Sequence, residues 1–246
     1  MSEATETADA VEVLDKGFVR LVGLLGGDVA VVQSARVSYG QGSKGEERDR
    51  KLLAFLLKHK HMTPFEHSVF TWHVKTPIFV MRQWIRHRAG AFNEVSARYT
   101  EVQDEFYLPE TFRAPDAKNK QSSQSAPALD QGRCREVLER SQRAAYEAYQ
   151  ELLKAGAARE LSRLALPVSQ YTQFYWTVSA RNLMHFINLR ADAPAQWEIQ
   201  RYAEALTAFF ARKLPWTWAA FLENGWTGKN ARLDEEKRSL CPPASS

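Results

Sequence analysis

The sequence has 246 residues, 44% hydrophobic and 25% charged, with a net charge of +4. That is enough chain to bury a core as one domain or two small ones, and its composition excludes a fibrous or wholly disordered protein. No apolar run approaches the roughly 18 residues that cross a bilayer, and Cys134 and Cys241 lie too far apart for a disulfide framework or a zinc finger.

The first fifteen residues carry Glu3, Glu6, Asp9, Glu12 and Asp15 and no base, the opposite of a secretory or mitochondrial leader. A soluble, cytoplasmic protein without a membrane segment is expected. Setting the leader's five acids aside leaves a body of net charge +9. Such a body favours anionic partners, whether nucleic acid, nucleotides or phosphorylated cofactors.

Residues 1–12 read as a disordered acidic leader, 13–226 as one domain and 227–246 as a polar C-terminal tail. Gly17–Leu25 is a predicted strand. Asp28 offers an N-cap for a helix over 29–35, and Ser43 with Glu46 forms a capping-box pattern opening a helix through Leu52, Leu53, Leu56 and Leu57. The β-formers of His67–Lys75 predict a strand, and Thr76-Pro77 a helix start leading through Ile78 to about Arg88. Glu101–Leu108 is a predicted strand. The Pro-, Ser- and Gln-rich stretch 114–132 is expected as a surface loop. A helix runs from Arg133 to a Gly156 stop, and a shorter one ends before Pro167. Val168–Ser179 alternates as a strand, with Ser179 capping a helix that carries Arg181 to Arg190. Helices over 194–213 and 215–224 follow. The order lacks a regular βαβ repeat, so the predicted class is α+β, an antiparallel-sheet core flanked by helices.

The densest unusual cluster is Arg82-Gln83-Trp84-Ile85-Arg86-His87-Arg88, followed by Asn93 to Tyr99. On a continuing helix Gln83, Arg86 and His87 share a face. Crowded guanidiniums repel unless an anion neutralises them, and phosphate matches the arginine fork. The alternative is a solvated basic helix end favoured by the helix dipole. Glu66-His67 is an acid–base pair or a structural contact at a strand start. Five of the six histidines fall between His59 and His87, but no metal-ligand spacing occurs and no metal is expected. Arg181 and Arg190 are nine residues apart on one predicted helix, hence on opposite sides. No Gly-rich dinucleotide or P-loop pattern occurs, so any nucleotide or flavin is held by side chains.

Arg86-His87-Arg88, seven residues, then Ser96 resembles the signature of the flavin-dependent thymidylate synthases. The likeness runs from about Leu14 to Gly225. It includes His61-Met62-Thr63-Pro64-Phe65-Glu66-His67, Asn188-Leu189-Arg190-Ala191-Asp192 and Ala195-Gln196-Trp197-Glu198. The resemblance implies reductive methylation of dUMP to dTMP, with methylenetetrahydrofolate as carbon donor, FAD as redox cofactor and NADPH as reductant. It also implies a homotetramer of α+β protomers with active sites between subunits, and no specific nucleic-acid partner.

Carried over by position, Gln83, Arg86, Glu94, Val95, Ser96, Ala97, Arg98, Arg163 and Arg190 match dUMP-binding residues. His61, Thr63, Arg86, His87, Arg88, Glu94, Ser179, Arg181 and His185 match positions that contact FAD. Arg190 matches the arginine that activates the uracil, and Ser96 the signature serine, here read as a ligand-holding hydroxyl. Ala91-Phe92 stands where many members have Ser-Tyr, and Ser179 where asparagine is common. Neither cysteine looks like a positioned nucleophile, which agrees with flavin chemistry.

Overall fold

The computed structural model describes residues 10–37, 40, 42–116 and 123–240. Its centre is a five-stranded antiparallel sheet built from β1 (Ala10–Val13), β2 (Gly17–Leu25), β3 (Val69–Pro77), β4 (Ala91–Glu94) and β7 (Tyr171–Ser179), in the order β1-β2-β3-β7-β4. The α+β class read from the sequence is what the chain adopts.

Alternation in the two long central strands creates the core. Trp72 lies opposite Trp176 and Val74 opposite Phe174, all buried on one face. The opposite face carries His73, whose Nε2 lies 2.9 Å from Gln173 Oε1, and Thr71, whose hydroxyl lies 3.1 Å from that of Thr177. Over the apolar face pack α3 (Ile78–Trp84), α6 (Ala180–Arg190) and α7 (Trp197–Lys213). α7 turns Ile199, Tyr202, Ala203, Leu206, Phe209 and Phe210 inward at three- and four-residue spacings. Trp84, fully buried, meets Trp176 edge-on at 5.4 Å, Phe186 at 4.8 Å and Tyr202 at 5.8 Å.

The remaining helices are α1 (Asp28–Arg36), α2 (Glu46–Lys58), α4 (Gln131–Lys154), α5 (Arg159–Ser162), α8 (Pro215–Asn224) and α9 (Ala231–Leu240). α4 ends before Gly156, whose φ of +85° suits glycine.

Several expectations are corrected. Glu12 belongs to β1, because Ala10–Val13 pair with Gly17–Arg20 across a tight turn; the leader's residues 1–9 lie outside the described residues. Asp28 does not cap its own helix, which starts at Gly27. Its carboxylate accepts from Trp216 N at 2.8 Å, Thr217 N at 2.9 Å and Thr217 Oγ1 at 2.6 Å, so it caps α8 instead. Ser43 is no N-cap either, since its hydroxyl donates to Asp49, the partner of Arg36 at 2.6 Å.

Residues 101–108 form only one bridge, Phe106 with Gln170, where a strand was expected; Tyr107 is pinned by its N–H to Ser169 O. The expected loop 114–132 contains strand residues, as β5 (Arg113–Pro115) pairs with β6 (Ser123–Ser125), and its end is already α4, capped by Asp130 at Arg133 N. Residues 117–122 of it lie outside the described residues. In the region read as a polar tail, α9 buries Leu233 and is tied down by Trp218 Nε1 to Glu236 and Trp226 Nε1 to Asp234; residues 241–246 lie outside the described residues.

Candidate active site

α3 stops at Trp84, earlier than the expected Arg88. Ile85 N donates to Met81 O, and His87 N turns back to Trp84 O at 3.0 Å. Gln83 therefore lies on the helix while Arg86, His87 and Arg88 lie on a turn beyond it, and the shared helical face does not form. Burial of Trp84 explains the stop, because it anchors the chain just where β4 must begin alongside β7. At Gly90 a Cβ would come within 2.7 Å of Trp176 Nε1 and 3.0 Å of Thr177 O, so the turn is pressed against the sheet where only glycine fits.

This turn and α6 enclose a cleft of about 210 Å³, bounded by Arg86, His87, Arg88, Trp176, Asn182, His185, Leu189 and Arg190 among others. Arg190 Nε donates to His87 Nε2 at 2.9 Å. His87 thus accepts and stays neutral, and burial, Arg190 and His185 together push its pKa down to about 4. Burial and then neighbouring Arg86 hold Arg190 below the ordinary arginine value. Among the described residues neither Arg86 nor Arg88 has a carboxylate partner. A half-enclosed group of cations without acids is a site for an anion.

A second, larger cleft of about 740 Å³ collects Glu94, Val95, Ala97 and Arg163 with Arg82 and Gln173. Glu94 accepts from Thr172 Oγ1 at 2.7 Å, and Val95 N donates to Gln173 O at 2.9 Å. Among the described residues the Ser96 hydroxyl receives only a long contact, from Arg98 N at 3.4 Å, and the exposed Arg98 lies 3.3 Å from Glu160. No base lies hydrogen-bonded to Ser96 among the described residues, in keeping with a ligand-holding hydroxyl.

A third group surrounds the start of α6. Ser179 caps it, accepting from Asn182 N at 3.4 Å and Asn182 Nδ2 at 3.1 Å. Arg181 pairs with Glu66 of the 3₁₀ turn Thr63–His67, which resolves Glu66 as a partner of arginine and not of His67. His61 is exposed beside Phe55 and His59. Arg181 and Arg190 lie on different sides of α6, as their nine-residue separation predicts: one faces Glu66, the other His87.

The predicted residues thus fall into three groups that one chain does not merge into one pocket. Sequence reasoning missed Asn182 and Trp176 as walls of the arginine cleft, Gly90 as the residue that seats the turn on Trp176, and the support of Gln83, whose Nε2 donates to Gln196. The sole sequence signal for the latter was the Ala195-to-Glu198 block. Phe92, one of the departures from the family pattern, stacks on Trp176 with ring centroids 6.0 Å apart.

The donor set suits a phosphorylated cofactor. Arg86 and Arg88 lack acids, His185 is exposed to the cleft, and buried Trp176 Nε1 has no hydrogen-bond partner among the described residues. The cleft's volume is below the roughly 300–1,000 Å³ of ordinary ligand pockets, so it encloses part of a dinucleotide and not all of it. Among the described residues no group of three or more His, Cys, Asp or Glu is placed to hold a metal ion, and no helix is long and apolar enough to cross a membrane.

Comparison with known proteins gives the family. The family described as thymidylate synthase complementing protein matches residues 20–216. The flavin-dependent thymidylate synthase of Thermosipho melanesiensis is 54% identical over 218 residues, covering 88% of this chain and 95% of that protein. The enzyme of the same name from Thermus thermophilus is 49% identical over 214 residues, 87% of this chain and 78% of that protein. Among solved structures, a UMP/dUMP methylase, PolB from Streptomyces cacaoi bound with 5-Br dUMP, superposes with a TM-score of 0.80 at 35% identity, covering 89% of this chain and 100% of that one.

Proposed function

The chain belongs to the flavin-dependent thymidylate synthase family, and on that premise we propose that it methylates dUMP to dTMP, taking the carbon from methylenetetrahydrofolate and reducing equivalents from NADPH through FAD, and releasing tetrahydrofolate. The observation that carries the reading is the arginine cleft: Arg86 and Arg88 without acids, beside an Arg190 steered by a neutral His87.

Arg86, His87, Arg88 and His185 would hold FAD together with Thr63, Ser179, Arg181, His61 and Glu94. When bound, the flavin supplies hydride, which removes the need for a protein nucleophile. Gln83, Arg163 and the Glu94–Arg98 loop would hold dUMP, with Ser96 and Arg98 near its phosphate. Arg190 would stabilise negative charge as the uracil ring ionises at N3, pushing electron density toward C5. Because the Arg190 Nε–H donates its hydrogen bond to His87, its Nη atoms would be left to face the substrate, apart from a long contact to Gln83 O at 3.4 Å.

The division of these residues among three groups supports a homotetramer in which one protomer's arginine cleft is completed by another's nucleotide loop. The acidic leader, the domain over 13–226 and the polar tail remain the proposed organisation, amended at Glu12 and α9 as above. A cytoplasmic location fits the substrates.

The test is the visible spectrum of the purified protein, then anaerobic reduction by NADPH with and without dUMP. A bound flavin that NADPH bleaches at a dUMP-dependent rate is expected. Protein that takes up no flavin after added FAD overturns the reading. Running UMP beside dUMP asks whether this chain shares the substrate breadth named for PolB.

A further inference from the structure

Gln83 does not stand alone at the end of α3. Its Nε2 donates to Gln196 Oε1, and Gln196 Nε2 donates to Glu198 Oε2 at 2.9 Å. The other carboxylate oxygen of Glu198 accepts from Arg113 Nη2 at 2.6 Å and from the Tyr107 hydroxyl at 3.1 Å. Glu198 is 2% exposed, so these bonds are made out of water.

The direction of this chain of bonds is set at its buried end. A carboxylate paired with a guanidinium is ionised and can only accept. Tyr107 also donates to it; burial and the charge of Glu198 raise the phenol's pKa, so the hydroxyl keeps its proton. Gln196 must then turn its NH₂ toward Glu198 and its carbonyl toward Gln83. Gln83 in turn must spend its NH₂ on Gln196. The side-chain carbonyl oxygen of Gln83, Oε1, is left without a partner among the described residues. A glutamine amide alone can present either end; this one cannot.

We propose that Glu198 is a positioning residue: acting through Gln196, it fixes the Gln83 amide as an acceptor, so the nucleotide is selected for a hydrogen-bond donor at that point. This rests on the nucleotide reading given above. On dUMP the donors are the ring N3–H and the sugar 3′-hydroxyl.

The experiment measures dissociation constants of dUMP, N3-methyl-dUMP and 3′-deoxy-dUMP on the FAD-loaded protein, for wild type, Gln196→Met and Glu198→Gln. Gln196→Met cuts the relay while leaving Glu198 on Arg113 and Tyr107, which guards against misfolding of the Glu198 variant. Wild type should discriminate against one analogue by about tenfold, the worth of one well-placed hydrogen bond. The analogue that suffers identifies the donor. Both variants should lose most of that discrimination while FAD affinity stays within about twofold of wild type.

Discrimination retained in both variants overturns the proposal. So does equal weakening of all three ligands, which a packing role alone produces, or a wild type indifferent to both analogues. A wild type that binds FAD but no dUMP instead brings down the nucleotide reading, and this proposal with it.

Discussion

The turn over 85–90 and the loop over 95–100 are separated by one short strand, yet they are held very differently. The turn grows from fully buried Trp84, is tied back through His87 N, sends the His87 ring to Arg190 and lays Gly90 on Trp176. The loop is tied to the sheet by one backbone bond, Val95 N to Gln173 O, and otherwise has a local turn bond, Tyr99 N to Ser96 O at 3.1 Å, long contacts and a solvent-facing ion pair; Tyr99 is 75% exposed. Both carry arginines. The turn lends its His87 ring to fix Arg190 of α6, while its own Arg86 and Arg88 stay exposed; in the loop the one arginine, Arg98, has only an exposed pair with Glu160. Preorganised donors stabilise developing charge without reorganisation, so on the proposed function the electrostatic work would fall to Arg190 beside the turn and the grip on substrate to the loop.

The largest expected effect follows from that division. Arg190→Ala should still load FAD but lose about a hundredfold or more in turnover, the scale for removing one preorganised donor from developing charge. Single-turnover rates with prebound dUMP measure it, and near-normal turnover would show that Arg190 does not act on the ring. Arg86→Ala should instead weaken FAD and dUMP binding together, with each charge-assisted bond lost worth about 1.5–3 kcal/mol. Titration of both ligands reads this directly, and a loss confined to kcat contradicts it.

Gly90→Ala tests whether the turn's rigidity matters, with no charge removed. The added methyl meets Trp176 Nε1 and backbone Thr177 O, so the turn must move off the sheet. A stability loss of about 1–3 kcal/mol and weaker FAD binding are expected. Unchanged melting together with unchanged FAD affinity would mean that the contact with Trp176 does not hold the turn. Arg98→Ala is the matching change in the loop. Its exposed pair with Glu160 contributes under about 1 kcal/mol, so melting should hardly shift while KM for dUMP rises.

His87 gives the comparison a pH axis. Its folded pKa, about 4, lies below the ordinary 6.5. Between those values the unfolded chain binds a proton that the folded one refuses, so stability falls as pH drops through that window and levels off below it. The flavin-free protein should melt progressively earlier from pH 6.5 to 4. His87→Gln, which keeps an acceptor for Arg190, should flatten that part of the slope; an unchanged slope would assign it to other groups.

What the sequence could reveal also divides along these lines. β3 and β7 were legible because alternation over a half-buried sheet is a local pattern, and α6 and α8 because their start signals, Ser179 as cap and Pro215 at the first helical position, adjoin them. The stop of α3 was not legible, because nothing in Ile85 to Arg88 breaks a helix; burial of Trp84 and the demands of β4 do. Asp28 has the right chemistry for a cap and serves a helix nearly 190 residues away. In the site, the residue types of the arginine cleft were readable from the signature. The bond between His87 and Arg190 spans 103 positions, and the support of Gln83 by Gln196 spans 113, so both belong to tertiary structure alone.

The smallest expected effect concerns a residue that belongs to neither region. Cys134 lies half-buried in the first turn of α4, its N–H on Asp130 O, and lines neither the arginine cleft nor the nucleotide cleft. A thiol that attacked the uracil ring would have to reach the ring that Arg190 polarises, and would gain reactivity from a nearby cation or base. Cys134 instead sits on α4, no residue of which lines either cleft, whereas Arg190 lines the smaller one. Cys134→Ser should therefore keep turnover within about twofold of wild type, as surface substitutions outside a site do. Loss of turnover in that variant with full flavin content would place a protein thiol in the reaction, and Arg190, held by His87 of the turn, would then serve binding alone.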